Sequence, residues 1–295
     1  MPFLQIHVEL QGLDPERAEA ACSATGAMAV TLTDAGDAPI LEPAPGATPL
    51  WPTTALSALY PANTDPEGVA RELRELLAAP SLKVRSELLA DRAWEREWLK
   101  DFRPMRFGRR LWVCPGGQPP PRAPGDPEPV IVWLDPGLAF GTGTHATTAL
   151  CLEWLDGARL EGKTVLDVGC GSGVLAIAAL KLGAREALGV DIDPQALIAT
   201  NENAGRNAVA SRLVVRAAES GYGKPADVVL ANILAEPLIA LAPEFARATL
   251  PGGWLVLSGL LTEQSGAVAS ACGPWFDMEP PRERAGWVGL VGRRR

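Results

Sequence analysis

The sequence predicts an α/β chain, with an open parallel sheet covered by helices on both faces and a small α+β unit in front of it. Three observations carry that prediction. Residues 164–173 (TVLDVGCGSG) set an apolar run against a glycine-rich turn, and residues 174–182 (VLAIAALKL) continue as a helix. A second strand closes at Asp191, eighteen residues after Gly173, and a third apolar run over Val228–Ala231 stops at Asn232. Unbroken apolar strands of this kind belong to sheets covered on both faces. The first 89 residues instead alternate, and two Asp-Pro-Glu steps mark helix starts, giving the order βαββαβ.

Taken in order, Phe3–Leu10 alternates as a strand, and Asp14-Pro15-Glu16 opens a helix with proline in its first turn. Ala27–Thr33, Ala55–Tyr60 and Leu82–Leu89 are the other strands. Asp65-Pro66-Glu67 opens a second helix, with Val69, Leu73, Leu76 and Leu77 on one face. Residues 1–89 therefore read as a ferredoxin-like sandwich without a catalytic constellation, a recognition module. Residues 90–103 form a linker helix in which Trp94 and Trp98, at i and i+4, share a face that packs on a neighbouring domain. Residues 104–295 form the larger domain. Within it the proline-rich stretch 115–129 is an exposed loop between strands at Leu111–Cys114 and Val130–Leu134.

Composition narrows the function classes. At 295 residues, 47% of them apolar, the chain has room for two domains with a real core. It holds no run of eighteen apolar residues, and MPFLQIHVEL lacks the basic start and apolar stretch of a signal peptide, so no membrane contact is expected. Five scattered cysteines without C-x-x-C spacing argue against disulfides and zinc and suit a reducing cytoplasm. His7 and His145 are the only histidines, so no metal site is expected. Residues 1–89 carry twelve acidic and five basic side chains, the other 206 residues 23 and 22. The front end thus lacks the basic footprint of a nucleic-acid binder. Its acidity either attracts a basic protein or merely solubilises the surface. Nothing sets the oligomeric state, and a monomer is the working expectation.

The glycine turn carries the chemistry. Gly169, Gly171 and Gly173 permit backbone angles that side chains forbid and let a ligand approach the main chain. The helix after them presents free N–H groups to that ligand, and Asp191 can accept two hydrogen bonds from a ribose diol. A nucleoside-bearing cofactor fits, and residues 171–176 (GSGVLA) also satisfy the G-x-G-x-x-A dinucleotide fingerprint. Asp167 discriminates. A pyrophosphate over this turn faces a carboxylate, whereas the ammonium of S-adenosylmethionine finds there a carboxylate or its adjoining carbonyls. The run D-x-G-x-G-x-G with Asp191 resembles the signature of class I methyltransferases, which implies a Rossmann-like, S-adenosylmethionine-dependent domain.

Two further motifs flank it. Asp135–Thr148 reads as a glycine-rich loop holding Phe140, Thr142 and Thr144, with a helix from near His145 to about Asp156. It is no P-loop, since no lysine follows the second glycine. Its hydroxyls and helix-terminal N–H groups suit the methionine carboxylate, although Thr142 and Thr144 serve equally as helix caps. His145 makes either a local hydrogen bond or a catalytic contact. Asn232 ends its strand where ligands bind in open α/β sheets, while Cys170 reads as a small filler inside the turn.

The runs Asp135–Thr148, Asp167–Gly173, Asp191–Pro194 and Asn232–Leu238 together resemble the ribosomal protein methyltransferases of the PrmA type, over most of residues 94–295. The resemblance implies methylation of lysine or N-terminal amines on large-subunit ribosomal protein eleven. It also implies cofactor contacts at Thr148, Gly169, Asp191 and Asn232, and a front domain that grips the protein substrate. Phe140, Thr142, Asp167 and Gly171 complete the candidate cofactor set, and Asn232 is the candidate catalytic residue. Two other readings stand beside it. One is methylation of a small molecule or nucleobase amine, although the aromatic that stacks a flipped base after Asn-Pro-Pro is missing from N-I-L-A. The other is a cofactor-binding regulator without catalysis.

Overall fold

Alternate burial of Leu4, Ile6 and Val8 fixes the first strand, β1 (Phe3–Glu9). The computed structural model describes residues 2–10, 12–36, 49–89, 103–134 and 145–295, divided between two units, 1–97 and 98–295. In the first unit, α1 (Pro15–Ala24) and α2 (Pro66–Leu76) each begin with an aspartate cap and a proline. Asp14 accepts from the Glu16 N–H, and Asp65 from those of Glu67 and Gly68, satisfying donors that the first helical turn leaves free. With β2 (Ala29–Asp34), β3 (Thr54–Pro61) and β4 (Val84–Leu89) the strands pair antiparallel in the order β2-β3-β1-β4. This is the ferredoxin-like arrangement expected from βαββαβ. Ile6, Leu56, Tyr60 and Leu73 form its dry centre. β2 starts two residues later than its apolar content suggested, because it is an edge strand and Met28 faces solvent.

The second unit opens with a three-stranded sheet. β5 (Met105–Phe107) pairs antiparallel with β6 (Leu111–Cys114), which pairs parallel with β7 (Val130–Trp133). The proline-rich loop therefore makes a parallel crossover, held by its own contacts: the Ala123 N–H donates to Asp126, and Arg122 pairs with Glu128.

The large sheet follows, with α3 (Ala146–Gly157) and α4 (Val174–Lys181) packed on one face. Its strands are β8 (Thr164–Val168), β9 (Glu186–Asp191), β10 (Leu213–Ala217), β11 (Ala226–Asn232), β12 (Thr249–Leu261), β13 (Phe276–Met278), β14 (Arg282–Arg284) and β15 (Trp287–Arg294). They run in the order β10-β9-β8-β11-β12-β15-β13, with β14 beside β15. The first five are parallel and β15 is antiparallel to its neighbours. α5 (Pro194–Arg206) joins β9 to β10, and α6 (Ala235–Ala240), α7 (Ala242–Ala248) and α8 (Ser265–Cys272) follow β11 and β12. α4 is apolar all round from Val174 to Leu180, and every one of those residues is buried. After β8 the chain winds outward to β9 and β10; after β11 it winds the other way to β12. The switch point lies between β8 and β11, where doubly wound sheets open a ligand crevice at the strands' carboxyl ends.

Candidate cofactor and catalytic site

The turn after β8 is built as the glycines suggested. Gly169, Gly171 and Gly173 all have positive φ (72°, 55° and 78°). A Cβ on Gly169 would lie 2.3 Å from Ile233 Cγ2, and one on Gly173 2.7 Å from Thr200 Cγ2, so only glycine fits at either place. The Gly169 N–H donates to the Val190 carbonyl, tying the turn to β9. Asp191, last in β9, accepts from the Gly171 N–H at 2.9 Å through Oδ2 and from the Asp193 N–H at 3.0 Å through Oδ1. Each oxygen keeps a lone pair for a ligand. Ile192, next in chain, is 87% exposed, an apolar surface beside that carboxylate.

Asp167 lies directly behind the turn. It is 1% exposed, and its Oδ2 accepts from the Ala176 N–H in the first turn of α4. Burial pushes its carboxyl up to about 7; the Ala176 bond opposes this and the Asp191 charge adds to it. Asn232, the last residue of β11, donates through Nδ2 to Thr148 Oγ1 at 3.2 Å. Thr148 is fully buried in α3, so the structure brings these two site residues together across 84 positions of sequence. Asp167 Oδ1 and Asn232 Oδ1 are the two buried side-chain polar atoms that lack a hydrogen-bond partner among the described residues. Asn232 Oδ1 is an acceptor, Asp167 Oδ1 becomes one when its carboxyl ionises, and β8 and β11 lie side by side with Leu230 opposite Asp167. Two unpartnered oxygens near the carboxyl ends of neighbouring strands suit a donor or a cation, and an anionic pyrophosphate supplies neither.

Phe140 and Thr142 lie outside the described residues, as do Thr144, Trp94 and Trp98. The described cap of α3 is His145: its Nδ1 accepts from the Thr147 N–H and lies 2.8 Å from Thr147 Oγ1. Burial lowers its pKa, keeping the ring neutral as an acceptor, and it stands edge-on to Trp287 at 4.7 Å. Its local bond is thus a helix cap. Cys170 is buried with its thiol pushed up to about 12, chiefly by desolvation, and remains an uncharged filler.

Three supporting residues were not found in the sequence. Thr200 donates to the Gly171 carbonyl and Asn203 to the Ser172 carbonyl, each at 2.9 Å. Asn207 clasps Trp133, accepting its N–H and donating to its carbonyl. The Thr200 and Asn203 bonds hold the turn's carbonyls on the α5 side, and the Asn207 pair holds the end of β7. The signal was present, since 200, 203 and 207 fall on one helical face, but polar residues on a helix read by default as solvated. Gly259 was also passed over. Its φ is +89°, and a Cβ there would lie 2.3 Å from the Ile233 carbonyl oxygen. Glycine at that bulge of β12 lets Ile233, the neighbour of Asn232, sit against the next strand.

Comparison with known proteins agrees with this geometry. The family model described as ribosomal protein L11 methyltransferase (PrmA) matches residues 2–295. The chain is 50% identical to the ribosomal protein L11 methyltransferase of Nitrosococcus oceani, over the full length of both. It is 51% identical to that of Pseudomonas putida KT2440, again over the full length of both. A crystal structure of ribosomal protein L11 methylase from Lactobacillus delbrueckii subsp. bulgaricus superposes with a TM-score of 0.59 at 32% identity, covering 66% of this chain and all of that one. The expected resemblance thus holds along the whole chain, and the protein belongs to the ribosomal protein L11 methyltransferase family.

Proposed function

We propose that this chain transfers methyl groups from S-adenosylmethionine to lysine or N-terminal amines of the large-subunit ribosomal protein L11. The observation that carries the cofactor is the pair of buried, unpartnered oxygens, Asp167 Oδ1 and Asn232 Oδ1, on the neighbouring strands β8 and β11 beside a glycine turn that admits no Cβ at Gly169 or Gly173. Gly169 and Gly171 let the cofactor's backbone-facing side approach, Asp191 takes the ribose, and Ile192 offers its apolar face to the base. Thr148 holds Asn232 in place, Asp167 answers the cationic methionine portion, and Phe140 and Thr142 complete the binding set. When bound, the sulfonium supplies an activated methyl group for in-line displacement by an amine.

The chain's own task is to deliver that amine neutral and aligned. A free lysine has a pKa near 10.4, so only about one in ~2,500 is neutral at pH 7, a cost of roughly 4–5 kcal/mol. Desolvation in the crevice favours the neutral form. Asn232 Oδ1, buried and otherwise unpartnered, accepts one amine N–H and points the lone pair at the methyl group. Near-attack positioning supplies most of the acceleration, and the proton leaves to water as the amine enters. We assign substrate grip to residues 1–89, the linker to 90–103 and catalysis to 104–295. We place the reaction in the cytoplasm, where a ribosomal protein is made; among the described residues no helix is long and apolar enough to cross a membrane.

Two measurements test this reading. With radiolabelled methyl donor, the full chain is expected to label L11, and residues 104–295 alone are expected to bind cofactor yet lose that labelling. Full-efficiency labelling by the shortened chain removes the grip from residues 1–89; label on nucleic acid instead overturns the substrate. In calorimetry, S-adenosylmethionine is expected to bind and NAD to give no heat. Asp191→Ala is expected to weaken the cofactor by about 1.5–3 kcal/mol, the worth of hydrogen bonds to a charged group. NAD binding, or an unaffected Asp191→Ala variant, sinks the cofactor assignment.

A further inference from the structure

At the opposite end of the large sheet from the glycine turn lies a cavity of about 580 Å³, lined by the end of α3, the starts of β8 and β11, and the irregular Pro251–Trp254 stretch of β12. Nothing in the methyl-transfer site uses it. Its size falls within the range of small-molecule pockets. Trp154 and Trp254 meet edge to face across it, with ring centroids 6.0 Å apart.

The charges around those rings are unbalanced. Two of the three carboxylates in the lining are neutralised: Asp227 by Lys163 at 2.9 Å, and Glu153 by Arg284 at 2.6 Å. Arg159, Arg282 and Arg293 also line the cavity, and none of their guanidiniums has a carboxylate or hydrogen-bond partner among the described residues. Glu279 offsets one of them. Two positive charges remain on a chain whose formal net charge is −8.

Arg293 is the best prepared of the three. Its guanidinium stacks over the Trp254 ring at 4.8 Å, which employs the π face and leaves the in-plane N–H fork free. That fork is the geometry that grips an oxyanion through two parallel hydrogen bonds.

We propose that this cavity is a second ligand site, taking a nucleoside monophosphate or an anion of similar size that carries both a phosphate and a planar ring. The arginines would take the phosphate and the tryptophan pair the ring. A bare phosphate would leave the indole floor unused, and a neutral nucleoside would leave the guanidiniums unanswered.

The test is calorimetry on the full chain with S-adenosylhomocysteine saturating the cofactor site, using AMP, inorganic phosphate and adenosine as probes. AMP is expected to bind at least tenfold more tightly than either fragment. The double variant Arg159→Ala/Arg282→Ala is expected to weaken AMP tenfold or more while leaving L11 methylation and melting temperature unchanged. Arg293→Lys, which keeps the charge and loses the fork, is expected to weaken AMP as well. No heat from millimolar AMP, AMP affinity unmoved in the double variant, or phosphate binding as tightly as AMP each overturns the proposal.

Discussion

Asn232→Ala is expected to slow single-turnover methyl transfer by about 10²-fold or more at saturating cofactor and L11, the scale of losing one positioned polar group in an active site. The expectation rests on what each end of the side chain does. Nδ2 is committed to Thr148 Oγ1, which fixes the amide plane, and Oδ1 is left buried and empty. A buried acceptor without a partner costs about 1–3 kcal/mol, and in the proposed role the incoming amine relieves that cost. Folding is expected to survive, since Asn232 ends its strand and is only half-buried. Thr148→Val, which frees the amide to turn, is expected to lower turnover less and to raise KM for L11 little. If Asn232→Ala turns over within about threefold of the unaltered enzyme, the residue is a strand-end turn residue and the empty acceptor needs another owner.

The sheet and its ligand end were legible because the physics that forms them is local. Val165, Leu166 and Val228–Ala231 are apolar without interruption, and a strand buried on both faces has no other composition open to it. Asp191 and Asn232 could be placed at strand ends for the same reason: the apolar run stops there. The clamp on the glycine turn was not legible. Thr200, Asn203 and Asn207 are polar, yet Thr200 is 0% exposed, and only the fold reveals that carbonyls of the turn and of Trp133 face them. The pairing of Thr148 with Asn232 was likewise hidden by its sequence separation. The uncommitted arginines around Trp154 and Trp254 come from the segment after α3, from β14 and from β15, and no local pattern joins them. Edge strands were the least exact, since β2 lacks the buried alternation that fixes β1.

Asp167→Asn is expected to stabilise the cofactor-free protein at pH 8 while weakening its grip on S-adenosylmethionine. Asp167 titrates near 3.8 when unfolded and near 7 in the fold, burial being the main cause. Between those values the folded chain holds more protons than the unfolded one, so the contribution is fully present below about pH 4 and is lost as pH rises to about 7. At about 1.4 kcal/mol per unit, the ionised carboxylate weakens the fold above pH 7 by on the order of 4 kcal/mol. Asparagine keeps the acceptor for the Ala176 N–H and removes the titration, but it buries an amide donor without a partner, costing about 1–3 kcal/mol. The net gain at pH 8 is therefore on the order of 1–3 kcal/mol, shrinking and reversing towards pH 4. Cys151 and Cys170, the thiols facing Asp167, are pushed up by burial, Cys170 to about 12, and stay neutral throughout; Asp191 is the facing charge. Cofactor binding should run the opposite way. A cationic ligand draws Asp167 into its ionised form, so affinity should tighten from pH 6 to 8 with proton release, read by calorimetry in buffers of different ionisation enthalpy. In Asp167→Asn both the pH dependence and the released proton should vanish. A variant whose melting curve tracks the unaltered protein at every pH from 4 to 8 would show that Asp167 is ionised in the fold throughout, and the buried carboxylate would then need a counter-charge.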